Sequence, residues 1–283
     1  MSAGNVALLF GLIGRVRRNG AVPRDGIFAI EPLLLLSAAY VLGCAFRSIL
    51  PRADVQRICL FDTWLSSVFV GRSVATFAEI CFVAQWAIVL RAFAEVVNAE
   101  SARNISKTIV PLVVLAEACS WYAVITTNYL GNVLENSLWT VIFVLIAIAL
   151  LDLISRYRGV ARWAIAAAIA GVTGYVVFMC TIDVPMYFVR WQADLASGRE
   201  FFGLLSGLHD VATRWVVTHD IARWKDEIAW MSLYFSAAVW ASLLLASFGF
   251  IRQVLPRYRQ SWPPPKPISR PLPVTVRSSR RIP

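Results

Sequence analysis

The run Glu135–Ile154, ENSLWTVIFVLIAIALLDLI, determines the fold class of this chain. No charged residue falls between Glu135 and Asp152. About 20 residues at 1.5 Å each reach roughly 30 Å, the thickness of a bilayer's hydrocarbon core. Working outward, five more windows read the same way: Ile27–Phe46, Ser66–Leu90, Thr108–Leu130, Val160–Asp183 and Ile228–Ile251. The expectation is an all-α, polytopic transmembrane helical bundle with about six spanning helices in residues 27–255.

Composition agrees. Of 283 residues, 58% are hydrophobic and only 16% charged, too few charges to solvate a water-facing surface. The net charge of +10 comes from residues scattered between and beyond the apolar runs, and no basic stripe interleaved with aromatics is present. Nucleic acid is therefore excluded as a partner, and membrane lipids are expected instead. With the amino terminus inside, 18 Lys and Arg fall on the inner side and 8 on the outer. The positive-inside bias thus predicts an integral, multi-pass protein of a plasma or inner membrane with both termini cytoplasmic. Trp64, Tyr129, Trp139, Tyr187, Trp191 and Trp230 fall near the proposed outer ends, where amphipathic rings anchor.

The remaining segments are read from their chemistry. Residues 1–26 hold a short apolar stretch, Asn5–Ile13, followed by Arg15, Arg17 and Arg18. That order reverses a signal peptide and suggests a cytoplasmic interfacial segment or an amphipathic partner of the bundle. Residues 192–227 form an extracytoplasmic connection. There Phe201, Leu204, Leu205, Leu208, Val211, Ala212 and Trp215 recur at helical spacing, opposite Gly203, Ser206, Asp210, Thr213 and Arg214, predicting an outer-surface amphipathic helix. Residues 256–283 are basic and Pro-rich, a disordered cytoplasmic tail by composition. Cys81, Cys119 and Cys180 read as small buried hydrophobes, whereas Cys44 and Cys59 share the outer side, where a disulfide is open to them.

Ionisable groups in lipid are costly, so they mark a pathway, a site or a structural ion pair. Arg72, Thr76 and Glu79 stand at i, i+4 and i+7 on one helix face, and Glu117, Trp121 and Asn128 share a face of the next span. Glu79 and Glu117 are expected to neighbour one another across a connection of about 17 residues, Arg91–Lys107. Two carboxylates and one guanidinium do not balance, which calls for a shared proton or a bound cation. Glu79, Glu117 and Arg72 are accordingly the candidate catalytic residues. A second group lies toward the outer ends: Trp121, Tyr122, Asn128, Asn132, Glu135, Asp183, Tyr187, Arg190 and Tyr234 are candidate ligand-binding residues for a polar cleft. Pro185, just after Asp183, is expected to bend or end the fifth helix.

Only His209 and His219 are present, about 15 Å apart on a straight helix, so no metal site is expected from histidine; no cofactor is named by any motif. The function that follows is an integral membrane protein with an acidic intramembrane site opening outward. Three classes compete: an enzyme acting on a lipid or lipid-linked substrate, with Arg72 orienting an anionic group; a proton- or cation-coupled transporter or channel; and a non-catalytic partner or assembly factor that binds another protein. Lipids, a small-molecule ligand or a protein are the corresponding partners.

Overall fold

In the computed structural model the backbone is described for residues 2–18 and 30–254. Ten helices follow in order: α1 Ser2–Arg18, α2 Ile30–Ile49, α3 Val68–Val97, α4 Glu100–Thr126, α5 Leu130–Ile154, α6 Gly159–Phe178, α7 Val184–Ala196, α8 Leu204–Thr213, α9 Ile221–Leu233 and α10 Val239–Val254. Single π-helical turns, Met179–Asp183 and Tyr234–Ala238, join α6 to α7 and α9 to α10. Among the described residues five helical segments are long and apolar enough to cross a membrane: α2, α3, α4, α5 and the continuous Gly159–Ala196. In the sixth window the helix is continuous, but its described apolar part, Phe235–Ser247, is shorter than a span. The tail, residues 256–283, and the start of the first window lie outside the described residues.

Helix ends follow local chemistry. Ser67 caps α3, its Oγ accepting from the Val70 amide at 3.3 Å, and Asn98 closes it in the left-handed conformation at φ 55°. The helix runs on past Leu90 to Val97, so Asn98 and Ala99 alone link α3 to α4. The 17-residue connection expected from hydropathy is instead helix, with Arg91 and Glu95 paired at 2.8 Å along it. Thr127 closes α4 at φ 59°, and the Asn128 side chain accepts from the Leu130 amide at 2.9 Å to start α5. This three-residue reversal holds α4 and α5 antiparallel; a Cβ on Gly131 would sit 2.6 Å from the Cys119 carbonyl oxygen, so the close approach needs glycine.

The core runs through α2, α3, α4, α5 and α10, with α4 packed on α3 and α5, α2 on α3, and α10 on α2. A polar node crosses it: Ser242 bonds Ser37 and the Gln85 amide, each at 3.0 Å. α1 packs on α2 and α10; Leu9 is buried, and Asn5 donates to the Phe235 carbonyl and accepts from Trp240. α6 rests chiefly on α5 and buries only Ala161, Ile165 and Val172.

One end carries a small cap. β1 (Arg52–Ala53) pairs antiparallel with β2 (Ile58–Cys59), which pairs in parallel with β3 (Val216–Val217). Arg57, at φ 58° in the hairpin, donates to the Asp54 and Val124 carbonyls and to Asp210 Oδ2 at 2.6, 2.6 and 2.7 Å. Those bonds pull α8 onto the end of α4. The amphipathic stretch expected over 192–227 is therefore divided among the end of α7, α8, β3 and the start of α9, and of the apolar stripe only Val211 is fully buried. Gly207, Asp210 and Val211 face the bundle, while Leu204, Leu205 and Leu208 are exposed, Leu205 at 87%. Gly207 is the reason: a Cβ there would overlap the Ile125 carbonyl oxygen, so only this side of α8 approaches α4 closely. Cys44 and Cys59 are both free thiols, as are Cys81, Cys119 and Cys180; Cys180 is exposed on the outside of the helix and not buried.

Candidate functional site

Arg72 enters from the second turn of α3 and its NH2 group meets three carboxylates: Glu117 Oε2 at 2.6 Å, Glu79 Oε2 at 3.3 Å and Glu135 Oε1 at 3.3 Å. All four side chains are buried, Glu117 to 2% exposure. The i, i+7 spacing brings Glu79 to Arg72 along one face of α3, the packing of α4 brings Glu117, and the tight α4–α5 reversal brings Glu135. Thr76 donates to Glu117 Oε2 at 2.6 Å and accepts from the Trp121 indole at 3.1 Å; Asn132 donates to Glu135 Oε2 at 3.1 Å.

The structure thus gathers the three residues expected to do chemistry and adds Glu135, which the sequence placed with the outer polar group. Of that group, Asn132 and Trp121 orient the cluster through Glu135 and Thr76, and Asp183 is buried and lines one cavity with Glu79 and Glu135. Asn128 serves the α4–α5 turn. Tyr122 is exposed, and Arg190 lies over the rings of Tyr129 and Tyr187 at 5.8 and 5.7 Å. The Tyr234 side chain lies outside the described residues. Pro185 does not end its helix: the π-turn Met179–Asp183 absorbs the missing amide, with Val184 N–H bonding to the Met179 carbonyl, and the chain continues into α7.

One NH2 group has two hydrogens for three carboxylates, and full ionisation leaves the cluster at a formal charge of −2. One oxygen of each glutamate lies within 4.8 Å of the others, a donor set suited to protons shared between carboxylates or to a hard cation. Glu117 Oε1 and Asn132 Oδ1 are buried acceptors with no hydrogen-bond partner, and Arg72 Nε is a buried donor without one, so the polar groups here are incompletely satisfied on both sides. Arg72 itself meets carboxylates from α3, α4 and α5.

Sequence reasoning missed what lies beside the cluster. A cavity of about 960 Å³ runs between α3, α5, α6 and α10. Its walls are Phe82, Trp86, Trp139, Phe143, Ile165 and Leu245 among other apolar groups; Glu79, Glu135, Asn136 and Asp183 supply charged and amide groups to it. On the other side of Glu79 a cavity of about 10 Å³, the size of one water, is lined by Tyr40, Cys44, Arg47 and Phe235. Helical periodicity offered the only signal for the large cavity, in the small residues Ala164, Ala168, Gly171 and Gly174 along one side of α6.

The cap holds a second charged group. Asp54 accepts from Arg52 at 2.8 Å and lies 4.0 Å from Arg47. Burial opposes its charge, but Arg52, Arg47 and Arg72 together hold its carboxyl below the ordinary value. Burial likewise pulls the Arg52 guanidinium below its usual range, against the pull of Asp54.

Comparison of the chain with family models, curated proteins and solved structures returns no match in any of the three. Fold and site together define a polytopic helical membrane protein with a buried acidic cluster.

Proposed function

We propose that this protein is a membrane-embedded enzyme acting on a lipid or lipid-linked substrate. The carrying observation is the 960 Å³ cavity, apolar over most of its wall, with Glu79, Glu135 and Asp183 contributing carboxylates to it. Such a shape suits an amphiphile, tail along α6 and α10, polar end at the carboxylates. Glu79 and Glu135 line the cavity and are the proton donor and acceptor; Glu117, held by Arg72 and Thr76, positions them and does not touch the ligand. The Lys and Arg distribution supports termini in the cytoplasm and a cluster nearer the outer face.

The test is lipidomics of native extract incubated with the full-length protein in nanodiscs. Depletion of one lipid class and appearance of a product, both lost in Glu135→Gln, support the reading. A protein that retains no lipid and changes none overturns it.

A second reading, transfer of protons through the cluster, is favoured by its −2 imbalance and by the water-sized cavity on the far side of Glu79. It predicts a proton flux across proteoliposomes that Glu79→Gln abolishes while lipid composition stays unchanged.

A further inference from the structure

Resting on the reading of the large cavity as a ligand site, we propose that it selects a long-chain amphiphile whose polar end carries a positive charge on nitrogen, an amine or ammonium group. The charge pattern of the wall is the first ground. Among the described residues Glu79, Glu135 and Asp183 line it, and no Lys, Arg or His does. The nearest cation of the cluster, Arg72, is spent on three carboxylates through one NH2 group and is not part of the wall. A phosphate or carboxylate head would enter a carboxylate-lined pocket in a medium that screens poorly, whereas an ammonium would offset the cluster's excess negative charge.

The aromatic wall is the second. Trp139 stands one helical turn beyond Glu135, its ring 6.1 Å from Phe143, which lies 4.3 Å from Tyr175; all three line the cavity. Carboxylates beside aromatic faces are the surroundings that bind ammonium groups, by charge and by the ring quadrupole together. The third ground is length. From Glu79 to Phe93 the cavity follows α3 for 14 residues, about 21 Å, more than the ~15 Å of one leaflet's hydrocarbon, so a long tail fits along it.

The experiment uses the full-length protein in nanodiscs and three probes of equal chain length: octadecylamine, octadecyl phosphate and octadecanol. Each is offered at the same mole fraction, with bound probe read by native mass spectrometry. We expect the amine to be retained at least tenfold over the phosphate, and this preference to fall toward that of the alcohol in Glu135→Gln and in Asp183→Asn. The comparison among heads in the unaltered protein needs no variant to fold. Equal or better retention of the phosphate, with or without added Mg²⁺ or Mn²⁺, overturns the head-group assignment and leaves the lipid cavity standing; dependence on the ion would assign a bridging cation instead. Retention of none of the three, or retention that Gly174→Leu leaves unchanged, overturns the lipid-site reading itself and this inference with it.

Discussion

Replacing Arg72 with Gln removes the one cation from a cluster that already holds three glutamates, taking its formal charge from −2 to −3. The Arg72 side chain is 7% exposed and Glu117 3%, so solvent screening offers little relief. Removing one partner of a buried ion pair costs about 3–5 kcal/mol, most of it from the charges left unpaired. At 1.4 kcal/mol per tenfold, the folded-to-unfolded ratio falls by a factor of roughly 10² to 4 × 10³. Glu117 makes the shortest contact, 2.6 Å, so Arg72→Gln/Glu117→Gln restores −2 and removes the worst repulsion. Its loss should be smaller than the sum of the singles by about 1–3 kcal/mol, the size of coupling between contacting residues. SDS titration of the bundle, followed by tryptophan fluorescence and helical circular dichroism, measures all four states of the cycle. Additive single losses, or an unfolding midpoint unmoved in Arg72→Gln, would refute the view that these carboxylates depend on one guanidinium.

Three further outcomes follow from other parts of the molecule. Gly207→Val should lift α8 off α4, because its side chain overlaps the Ile125 carbonyl, and should cost about 1–3 kcal/mol; limited proteolysis near residues 214–220 should rise, whereas Gly203→Ala, whose Cβ meets only Ser206 Oγ at 3.6 Å, should leave it unchanged. Asp54 has a folded-state pKa below its unfolded value of about 3.9, so its stabilisation is complete above pH ~4 and drains away as the pH falls through the folded value. The SDS midpoint should therefore drop more steeply below pH 4 in the wild type than in Asp54→Asn; parallel slopes would remove Asp54 from the account. A Cβ on Gly174 would meet no atom within 4 Å, so Gly174→Leu should keep or slightly raise helix stability, by up to about 1 kcal/mol, while its bulk in the cavity lowers lipid retention severalfold in native mass spectra.

The spans were readable because hydropathy reports the solvent around a helix, and lipid leaves a long, plain signal in runs such as Glu135–Ile154. It does not report where the backbone stops being helical. Past Leu90 the residues turn polar, yet Arg91, Glu95 and Glu100 suit a helix in water as well as a loop, so α3 and α4 lengthen at the expense of their link. Arg72, Thr76 and Glu79 were legible by spacing, since one helix sets their common face. Glu135 was not: near the start of α5 it reads like an end-of-helix residue, and only the Thr127–Tyr129 reversal turns it back toward Arg72. On α8 the apolar stripe misled because backbone proximity at Gly207 and the pull of Arg57 on Asp210 outweighed the leucines. The cavity belongs to α3, α5, α6 and α10 together, and no single segment encodes a space between four.

The thin seating of α6 on α5 has a kinetic consequence. Its cavity-facing Ala167, Gly171 and Gly174 are exposed, so the proposed amphiphile would arrive from the bilayer sideways and by two-dimensional diffusion. Occupancy would then follow the ligand's mole fraction among lipids, not its amount per volume of water. Diluting the membrane with inert lipid at fixed total ligand should lower occupancy, while diluting the suspension with buffer should leave it unchanged.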